Sequence, residues 1–167
     1  FLLLRVGGIV VNGEELGRFS TKSVEKNVRV AVYDGRGVWY AGKIALINMF
    51  EWMNASVTIV NKDDIQGGNL ENFDLLCMPG GWAADLFEGL GITSVSKIRD
   101  FVRNGGAYMG ICAGAYFSCD RVIDEGQSFD YPLNLFPGEG VGPVVGLQSY
   151  SMAKVNIVNH THPITAL

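Results

Sequence analysis

The chain has 167 residues, of which 48% are hydrophobic and 18% charged, with a formal net charge of −4 at pH 7. That length suits one domain with a real hydrophobic core, and the composition excludes an intrinsically disordered chain. The acidic balance, without a basic stripe, argues against a nucleic-acid-binding surface. The cysteines (Cys77, Cys112 and Cys119) are too few and too odd in number for a disulfide framework, and they indicate a reducing, cytoplasmic setting.

The first 27 residues are predicted to form an N-terminal arm or connector. Residues 1–11 are almost entirely apolar, but Arg5 stands in their middle. The run is too short to span a bilayer and lacks a small-x-small cleavage site. We therefore favour a strand or packed arm over a secretory leader or membrane anchor, and an exported or anchored form stays open as the alternative.

From residue 28 onward, apolar strand-like runs alternate with helical patterns. Such alternation is typical of βαβ units with a parallel sheet, and strands that are apolar throughout indicate a sheet covered on both faces. The predicted strands are residues 28–33, 56–60, 73–78 and a run that leads into Cys112. The fold class is therefore α/β with a mostly parallel sheet.

Helical spacing marks three further segments. Residues 38–54 carry apolar side chains at 44, 47, 50 and 53 along one face. A second helix is predicted to begin at a cap on Thr93 or Ser94 and to end at residues 104–106, with a buried stripe made of Val95, Ile98, Phe101 and Val102. A third helix is predicted over residues 113–121.

The remaining stretches carry weaker patterns. Residues 61–72 are predicted as a polar loop. Residues 124–145, rich in Gly and Pro, are predicted as a long excursion with a turn at 136–138. Residues 148–158 return to strand-like alternation, and residues 159–165 are predicted as loop.

The strand-to-helix turn around Cys112 is the main candidate for chemistry. Residues 110–114 have the form Gly-x-Cys-x-Gly, the cysteine counterpart of the serine nucleophile elbow. Gly110 and Gly114 are small where side chains would collide in so sharp a turn. A helix N-terminus favours a reactive thiolate through its dipole and free N–H groups. The alternative is a small buried cysteine at a tight turn.

The carboxyl ends of the other strands bring further candidates to the same edge, where open parallel sheets bind ligands. Gly80 and Gly81, together with the N–H of Ala113, are candidate donors to an oxyanion, and a plain turn is the alternative. Asp34 is a candidate to hold the thiol's proton or orient a substrate. Arg36 is a candidate to draw in a carboxylate. For this pair the alternative is ordinary Asp-Gly turn chemistry.

The aromatic residues divide into two groups. Trp82 and Tyr116 lie close to the candidate site in sequence and are predicted to wall a pocket. Trp39, Tyr40 and Trp52 sit at helical spacing and are predicted to pack.

A cysteine hydrolase needs a general base, usually a histidine. The chain has only His160 and His162, both near its end and both expected in a loop. Cys77 and Cys119 are predicted to be core residues. No Cys-x-x-Cys pair indicates a metal site, and no cofactor is expected.

Five segments carry a resemblance to a known family. The chain resembles the class I glutamine amidotransferase-like superfamily and, more narrowly, the amidotransferase-like domain found at the N-terminus of some biotin–protein ligases and as stand-alone proteins. The segments are Val32-Tyr-Asp-Gly35, Met78-Pro-Gly-Gly81, Gly110-Ile-Cys-Ala-Gly-Ala-Tyr-Phe117, Leu135-Phe-Pro-Gly138 with Val141-Gly-Pro143, and His162-Pro-Ile-Thr165. The Cys112 motif is shared across the superfamily, and the Phe-Pro-Gly…Gly-Pro segment narrows the assignment.

This resemblance implies a flavodoxin-like three-layer sandwich over residues 28–167, with Cys112 in the nucleophile position and Gly80-Gly81 in the oxyanion loop. It does not carry over a complete triad, because the amidotransferases have a His-x-Glu on a late segment and none occurs here. In the narrower family another strand follows the His-Pro-Ile-Thr segment, so the domain is predicted to lack its C-terminal end. No ligase catalytic portion is present, and ligase activity is not inferred.

Three functions are compatible with these residues. The first is a cysteine-dependent amidase or glutamine-hydrolysing domain in which Cys112 attacks a carboxamide. The second is a non-catalytic module that binds a small ligand or regulates a partner activity. The third is a redox sensor based on the thiol of Cys112. The expected partner is a small molecule, with no nucleic acid or membrane, and the sequence does not define the substrate or the oligomeric state.

Overall fold

The computed structural model describes residues 2–4, 27–142, 156 and 160. The predicted strand over 148–158 and the predicted loop over 159–165 lie outside this part of the chain except for residues 156 and 160. The strands are β1 (Leu2–Leu4), β2 (Arg29–Tyr33), β3 (Ser56–Val60), β4 (Leu75–Met78), β5 (Ala107–Gly110), β6 (Cys119–Asp124), β7 (Gln127–Asp130) and β8 (Phe136–Gly142). The helices are α1 (Tyr40–Trp52), α2 (Lys62–Gln66), α3 (Ala83–Arg103) and α4 (Ala113–Ser118), with a 3₁₀ turn at Asn69–Asn72.

The described residues form a main sheet in the order β1-β5-β4-β2-β3. Strands β2 to β5 run parallel, and β1 pairs antiparallel with β5. The order of the parallel strands reverses between β2 and β4, which creates a crevice at their carboxyl ends. The predicted flavodoxin-like α/β fold is confirmed.

Both faces of the sheet are covered, as the uninterrupted apolar strands predict. Successive side chains of a strand point to opposite faces. Ala31 and Tyr33 of β2 therefore belong to a core packed against α2, α3 and α4. Val30 and Val32 belong to a second core beneath α1, with Leu46, Phe50, Cys77 and Met109. Helices on two faces of one sheet give the three layers.

The helix predicted from residue 93 or 94 is the second half of a longer one. Helix α3 begins at Ala83 and is interrupted at Gly91, which has φ 70° and ψ 169°. Ser94 is not a cap, because it is buried and its hydroxyl donates to the carbonyl of Leu90 at 2.7 Å. The buried stripe at Val95, Ile98 and Val102 is confirmed, and Gly105 ends the helix at φ +100°.

The predicted polar loop over residues 61–72 is wrong, since this stretch contains α2 and the 3₁₀ turn. Asn61 accepts hydrogen bonds from the backbone N–H groups of Asp63 and Asp64, and the Asp64 carboxylate accepts from the N–H of Asn61. This capping box stabilises the start of α2, although the segment is largely polar. The buried side chains of Ile65 and Leu70 then anchor the segment on the core.

The predicted excursion over residues 124–145 is also wrong in its described part. Strands β6, β7 and β8 form a second sheet in the order β7-β6-β8, and residues 136–138 lie in β8 and not in a turn. Glu125 and Gly126 both have positive φ, as is typical of tight hairpin turns. All of β7 is exposed, so its sequence has no alternating apolar pattern from which a strand could be predicted. Within the described ranges, no helix has the length and apolar character needed to cross a membrane.

Candidate functional site

The site lies at the carboxyl edge of the parallel sheet, where the turns after β2, β4 and β5 meet. The turn after β2 (residues 34–39) and the turn after β4 (residues 79–82) are joined by an antiparallel bridge between Val38 and Gly81. The turn after β5 contains Cys112 and leads directly into α4. The reversal in strand order thus brings three turns together.

Cys112 occupies a backbone conformation that L-residues rarely adopt. Its φ is 53° and its ψ is −115°, and it stands at the N-cap of α4 with its side chain exposed. Its carbonyl accepts from the N–H groups of Ala115 at 2.9 Å and Tyr116 at 3.0 Å. A non-glycine residue in such a region costs about 1–3 kcal/mol and persists only where surrounding contacts impose it.

Two glycines and a tyrosine impose this turn. A Cβ on Gly110 would lie 2.5 Å from the carbonyl oxygen of Gly114, and a Cβ on Gly114 would collide with the carbonyl oxygen of Met78. The hydroxyl of the fully buried Tyr108 donates to the Gly114 carbonyl at 2.7 Å. The start of α4 is therefore clamped between β4 and β5, which leaves the backbone of Cys112 little freedom.

The turn after β4 lies against the cysteine. A Cβ on Gly80 would lie 3.2 Å from Cβ and 3.8 Å from Sγ of Cys112. The N–H of Trp39 donates to the Gly80 carbonyl at 3.0 Å, and the N–H of Trp82 donates to the Gly37 carbonyl at 2.9 Å. These two bonds flank the Val38–Gly81 pair, so the N–H of Gly81 points away from the bridge.

Several backbone N–H groups near Cys112 have no hydrogen-bond partner in the described part of the chain. The three predicted oxyanion donors, the N–H groups of Gly80, Gly81 and Ala113, are among them. Ala113 is 2% exposed, so its N–H is a buried donor at the first position of α4. The role of Gly80, Gly81 and Ala113 as oxyanion donors stays a prediction.

Asp34, the candidate proton holder, is engaged elsewhere. Its Oδ2 accepts from Lys43 Nζ at 2.6 Å. Lys43 is 8% exposed, and its ammonium also lies 5.1 Å from the ring centroid of Tyr40. This pair ties the turn after β2 to α1, and Asp34 makes no hydrogen bond with Cys112.

Arg36, the candidate carboxylate-binding residue, already binds two carboxylates of α3. Its Nε and Nη2 donate to Oδ1 of Asp85 at 3.0 and 2.9 Å, and Nη2 lies 2.5 Å from Oε2 of Glu88. Gly89 allows this approach, because a Cβ there would lie 2.8 Å from Cβ of Arg36. A substrate carboxylate would compete with these two protein carboxylates for the guanidinium, and the predicted role of Arg36 remains a prediction.

Trp39, Tyr40 and Trp52, which were predicted to pack, are 53%, 72% and 86% exposed, so none of them belongs to the core. Helix α1 turns a different face to the sheet. Trp39 instead packs edge-to-face on Trp82, which is 64% exposed, with ring centroids 6.2 Å apart and an interplanar angle of 81°. Trp39 is thus a site candidate in addition to those predicted from the sequence. The feature of the sequence that indicates it is its position at the end of the turn after β2.

Tyr116, the other predicted pocket residue, faces the second sheet. It is half-buried, and a Cβ on Gly140 would lie 2.7 Å from its ring. Burial raises the pKa of Tyr116, and negative charge at Asp124, Cys112 and Cys119 raises it further. Tyr116 therefore connects α4 and the surroundings of Cys112 to β8.

The remaining titratable residues do not complete a triad in the part of the chain that the structure describes. No side chain there makes a hydrogen bond with Sγ of Cys112. His160 is exposed in a turn, and His162 lies outside the described residues. Nor do the described residues contain a group of three or more His, Cys, Asp or Glu side chains that could hold a metal ion.

The other two cysteines are buried, as predicted. Burial raises the pKa of Cys77 to about 12 and raises that of Cys119. Cys112 is therefore the accessible thiol among the described residues.

A flavodoxin-like α/β domain is defined by the parallel sheet, by its helical layers and by the reversal of strand order beside Cys112. Residues 28–159 match the family described as biotin–protein ligase, N-terminal. The chain belongs to this family, which confirms the resemblance seen in the sequence.

Two relatives are similar to the chain over part of their length. A biotin–protein ligase of Schizosaccharomyces pombe is 34% identical over 131 residues, which cover 70% of this chain and 20% of that protein. An uncharacterized protein of Chlamydia muridarum is 39% identical over 78 residues, which cover 44% of this chain and 30% of that protein. The matched region thus spans less than a third of either relative.

Proposed function

We propose that Cys112 is the nucleophile of a cysteine-dependent amidase-type site that acts on a small carboxamide. The observation that carries the proposal is the backbone of Cys112, held at φ 53° with an exposed thiol over the crevice of a parallel sheet. Strain of this kind clusters at functional sites, because neighbouring contacts are needed to maintain it.

The proposed reaction begins when Sγ of Cys112 loses its proton to solvent and attacks the carboxamide carbon. The new C–S bond moves the carbonyl π electrons onto oxygen, and the resulting oxyanion accepts from the N–H groups of Gly81 and Ala113. Collapse re-forms the carbonyl and breaks the C–N bond, and the leaving nitrogen takes a proton from water. Water then hydrolyses the thioester to a carboxylic acid and restores the thiol. The net reaction is amide plus water to acid plus amine.

The two backbone donors support this step. Their N–H groups have no acceptor in the described ranges, and that of Ala113 is buried. Such preorganised donors contribute typically about 10²–10³ in rate per hydrogen bond. Gly80 adds space, because its missing side chain leaves Sγ of Cys112 open on that side.

A second candidate function is a non-catalytic module that binds a small ligand or regulates a partner activity at the same edge. The observation that favours it is the lack of a hydrogen-bonded base for Cys112 among residues 27–142. A similar protein is named a biotin–protein ligase, of which the matched region forms 20%, and a regulatory segment of a larger enzyme agrees with that small share.

The test is release of ammonia from a panel of primary carboxamides, including L-glutamine and benzamide, by the wild type, Cys112→Ala and the thiol control Cys119→Ala. The proposal expects release by the wild type and Cys119→Ala but not by Cys112→Ala, with a mass shift for an acyl group on Cys112 at short times. Equal release by Cys112→Ala refutes it. Binding of a panel member by both wild type and Cys112→Ala, without release, establishes the second candidate instead.

A further inference from the structure

We propose that Trp39 and Trp82 are the specificity surface of the Cys112 site and that its substrate is a neutral carboxamide bearing a flat apolar ring. A free amino acid such as glutamine would then be a poor substrate. This inference rests on the proposed function of Cys112 and deepens it by naming the substrate class.

The two indoles are placed by the same turns that surround Cys112. Gly80 lies against the Cys112 side chain, and its carbonyl accepts from the N–H of Trp39. Trp82 comes two residues after Gly80, and its backbone N–H donates to the carbonyl of Gly37. Trp82 is thus two residues from Gly80, the glycine beside the Cys112 side chain, and Trp39 is joined to Gly80 by one backbone hydrogen bond.

The exposure of this pair calls for a binding partner. Trp39 is 53% exposed and Trp82 is 64% exposed, although they contact one another edge-to-face. Indole rings contribute large apolar areas when covered, and contiguous exposed apolar surface marks binding sites. Because the Val38–Gly81 bridge holds the two backbones together, the rings form a preorganised surface for a flat apolar group.

The charges at this edge favour a neutral ligand. Lys43 is paired with Asp34, and Arg36 is paired with Asp85 and Glu88. Within the three described turns and the first turns of α1 and α3, each cation therefore already has an anionic partner. A free amino acid would bring an α-carboxylate for which these elements offer no unpaired cation, and desolvating it unpaired is unfavourable. A neutral amide avoids this cost.

The test compares alkylation of Cys112 by three probes: N-phenyl iodoacetamide, iodoacetamide and iodoacetate. Each rate is divided by the rate of the same probe with glutathione. The wild type is expected to favour the phenyl probe over iodoacetamide by about tenfold, in line with aromatic contacts of this kind. Trp39→Ala and Trp82→Ala are expected to reduce this preference severalfold. Trp52→Ala, an exposed tryptophan at the end of α1, is the matched control and should leave it unchanged.

A phenyl preference that is absent in the wild type, or unchanged in Trp39→Ala and Trp82→Ala, overturns the inference and indicates that the indoles serve another partner. Normalised reaction with iodoacetate faster than with iodoacetamide overturns the neutral-ligand part. These outcomes are separate from the failure of amide hydrolysis. A tryptophan-dependent phenyl preference without ammonia release would reject turnover while supporting the recognition surface.

Discussion

Two cysteines, one inside strand β4 and one just beyond the end of the neighbouring β5, show how the fold decides what a thiol can do. Cys77 lies inside β4, has no exposed surface, and pairs in register with Met109 of β5. Burial raises its pKa to about 12, which keeps it protonated and unreactive. Cys112 follows the end of β5 and is exposed on a strained turn. The same side chain is inert within a strand and accessible where the strand turns into a helix.

The charged residues around Cys112 extend this contrast. Asp34 and Arg36 share the edge with the cysteine but are held in ion pairs with Lys43 and with two carboxylates of α3. Cys112 has no such partner among the described residues. Proximity to the crevice therefore does not by itself make a residue available for a ligand.

The largest expected effect comes from closing the space that the turn requires. Gly114→Ala places a Cβ against the carbonyl oxygen of Met78, which is backbone and cannot rotate away. We expect a loss of at least about 3 kcal/mol in the free energy of unfolding, measured by urea denaturation. Gly42→Ala is the matched control, since nothing lies within 4 Å of its added Cβ, and it should be neutral or slightly stabilising. A Gly114→Ala protein as stable as the wild type would contradict the clamped turn.

The buried cysteine predicts a loss of stability in alkali. The unfolded chain releases the Cys77 proton above the ordinary thiol pKa of 9.0, whereas the folded chain keeps it up to about 12. Because the unfolded state then binds fewer protons, stability falls as pH rises from about 9 to about 12. Between about pH 8 and about pH 10.5, this effect lowers the free energy of unfolding by about 2 kcal/mol.

Cys77→Ala removes this contribution. The variant is less stable at both pH values because of the cavity, but its loss between them should be smaller by about 2 kcal/mol. Urea titrations at the two pH values measure the difference. An identical alkaline loss in wild type and variant would show that Cys77 is not protected from ionisation.

Tyr108→Phe tests the hydrogen bond that holds the start of α4. Loss of the buried hydroxyl to the Gly114 carbonyl is expected to reduce stability by about 1–2 kcal/mol. This bond holds the start of α4, of which Cys112 is the N-cap. The rate at which iodoacetamide alkylates Cys112 should therefore also change under conditions where the variant is folded. Tyr131→Phe is the control, since its hydroxyl makes no hydrogen bond to the described residues. Equal effects of the two substitutions would argue against a positioning role.

Cys112→Gly and Cys112→Ala measure the strain at the turn. Glycine adopts positive φ without the steric cost that alanine shares with cysteine. We therefore expect Cys112→Gly to be more stable than Cys112→Ala by about 1 kcal/mol in thermal or urea unfolding. The reverse order would mean that the turn relaxes freely and stores no strain.

The smallest expected effect belongs to the ion pairs of Arg36. Arg36→Gln removes an exposed pair network and should cost about 0.5 kcal/mol, less at high salt. Arg103→Gln, which breaks another exposed pair with Asp100, is the control. If Arg36 served an incoming carboxylate, Arg36→Gln would also slow the reaction of iodoacetate with Cys112 relative to iodoacetamide. The paired geometry predicts no such change.

Much of the main sheet was predictable from local sequence. Strands β2, β4 and β5 are largely buried, so they carry continuous apolar runs, whereas the edge strand β3 is mostly exposed and was predictable from its β-branched residues. Asn104 to Gly106 ends α3 as expected. Elements with weak burial were not predictable. Helix α2 depends on the Asn61 capping box and β7 on pairing with β6, and neither contact is visible in hydrophobic periodicity.

For the candidate site, the sequence alone determined the glycines around Cys112, because a sharp turn demands small residues at fixed spacing. It also determined the family, since the motifs are local. Only the tertiary structure decided that Arg36 is paired with α3 and that Trp39 meets Trp82. The reason is physical. Backbone sterics act over a few residues, whereas ion pairs and ring contacts between separate turns depend on how strands far apart in sequence are ordered in the sheet.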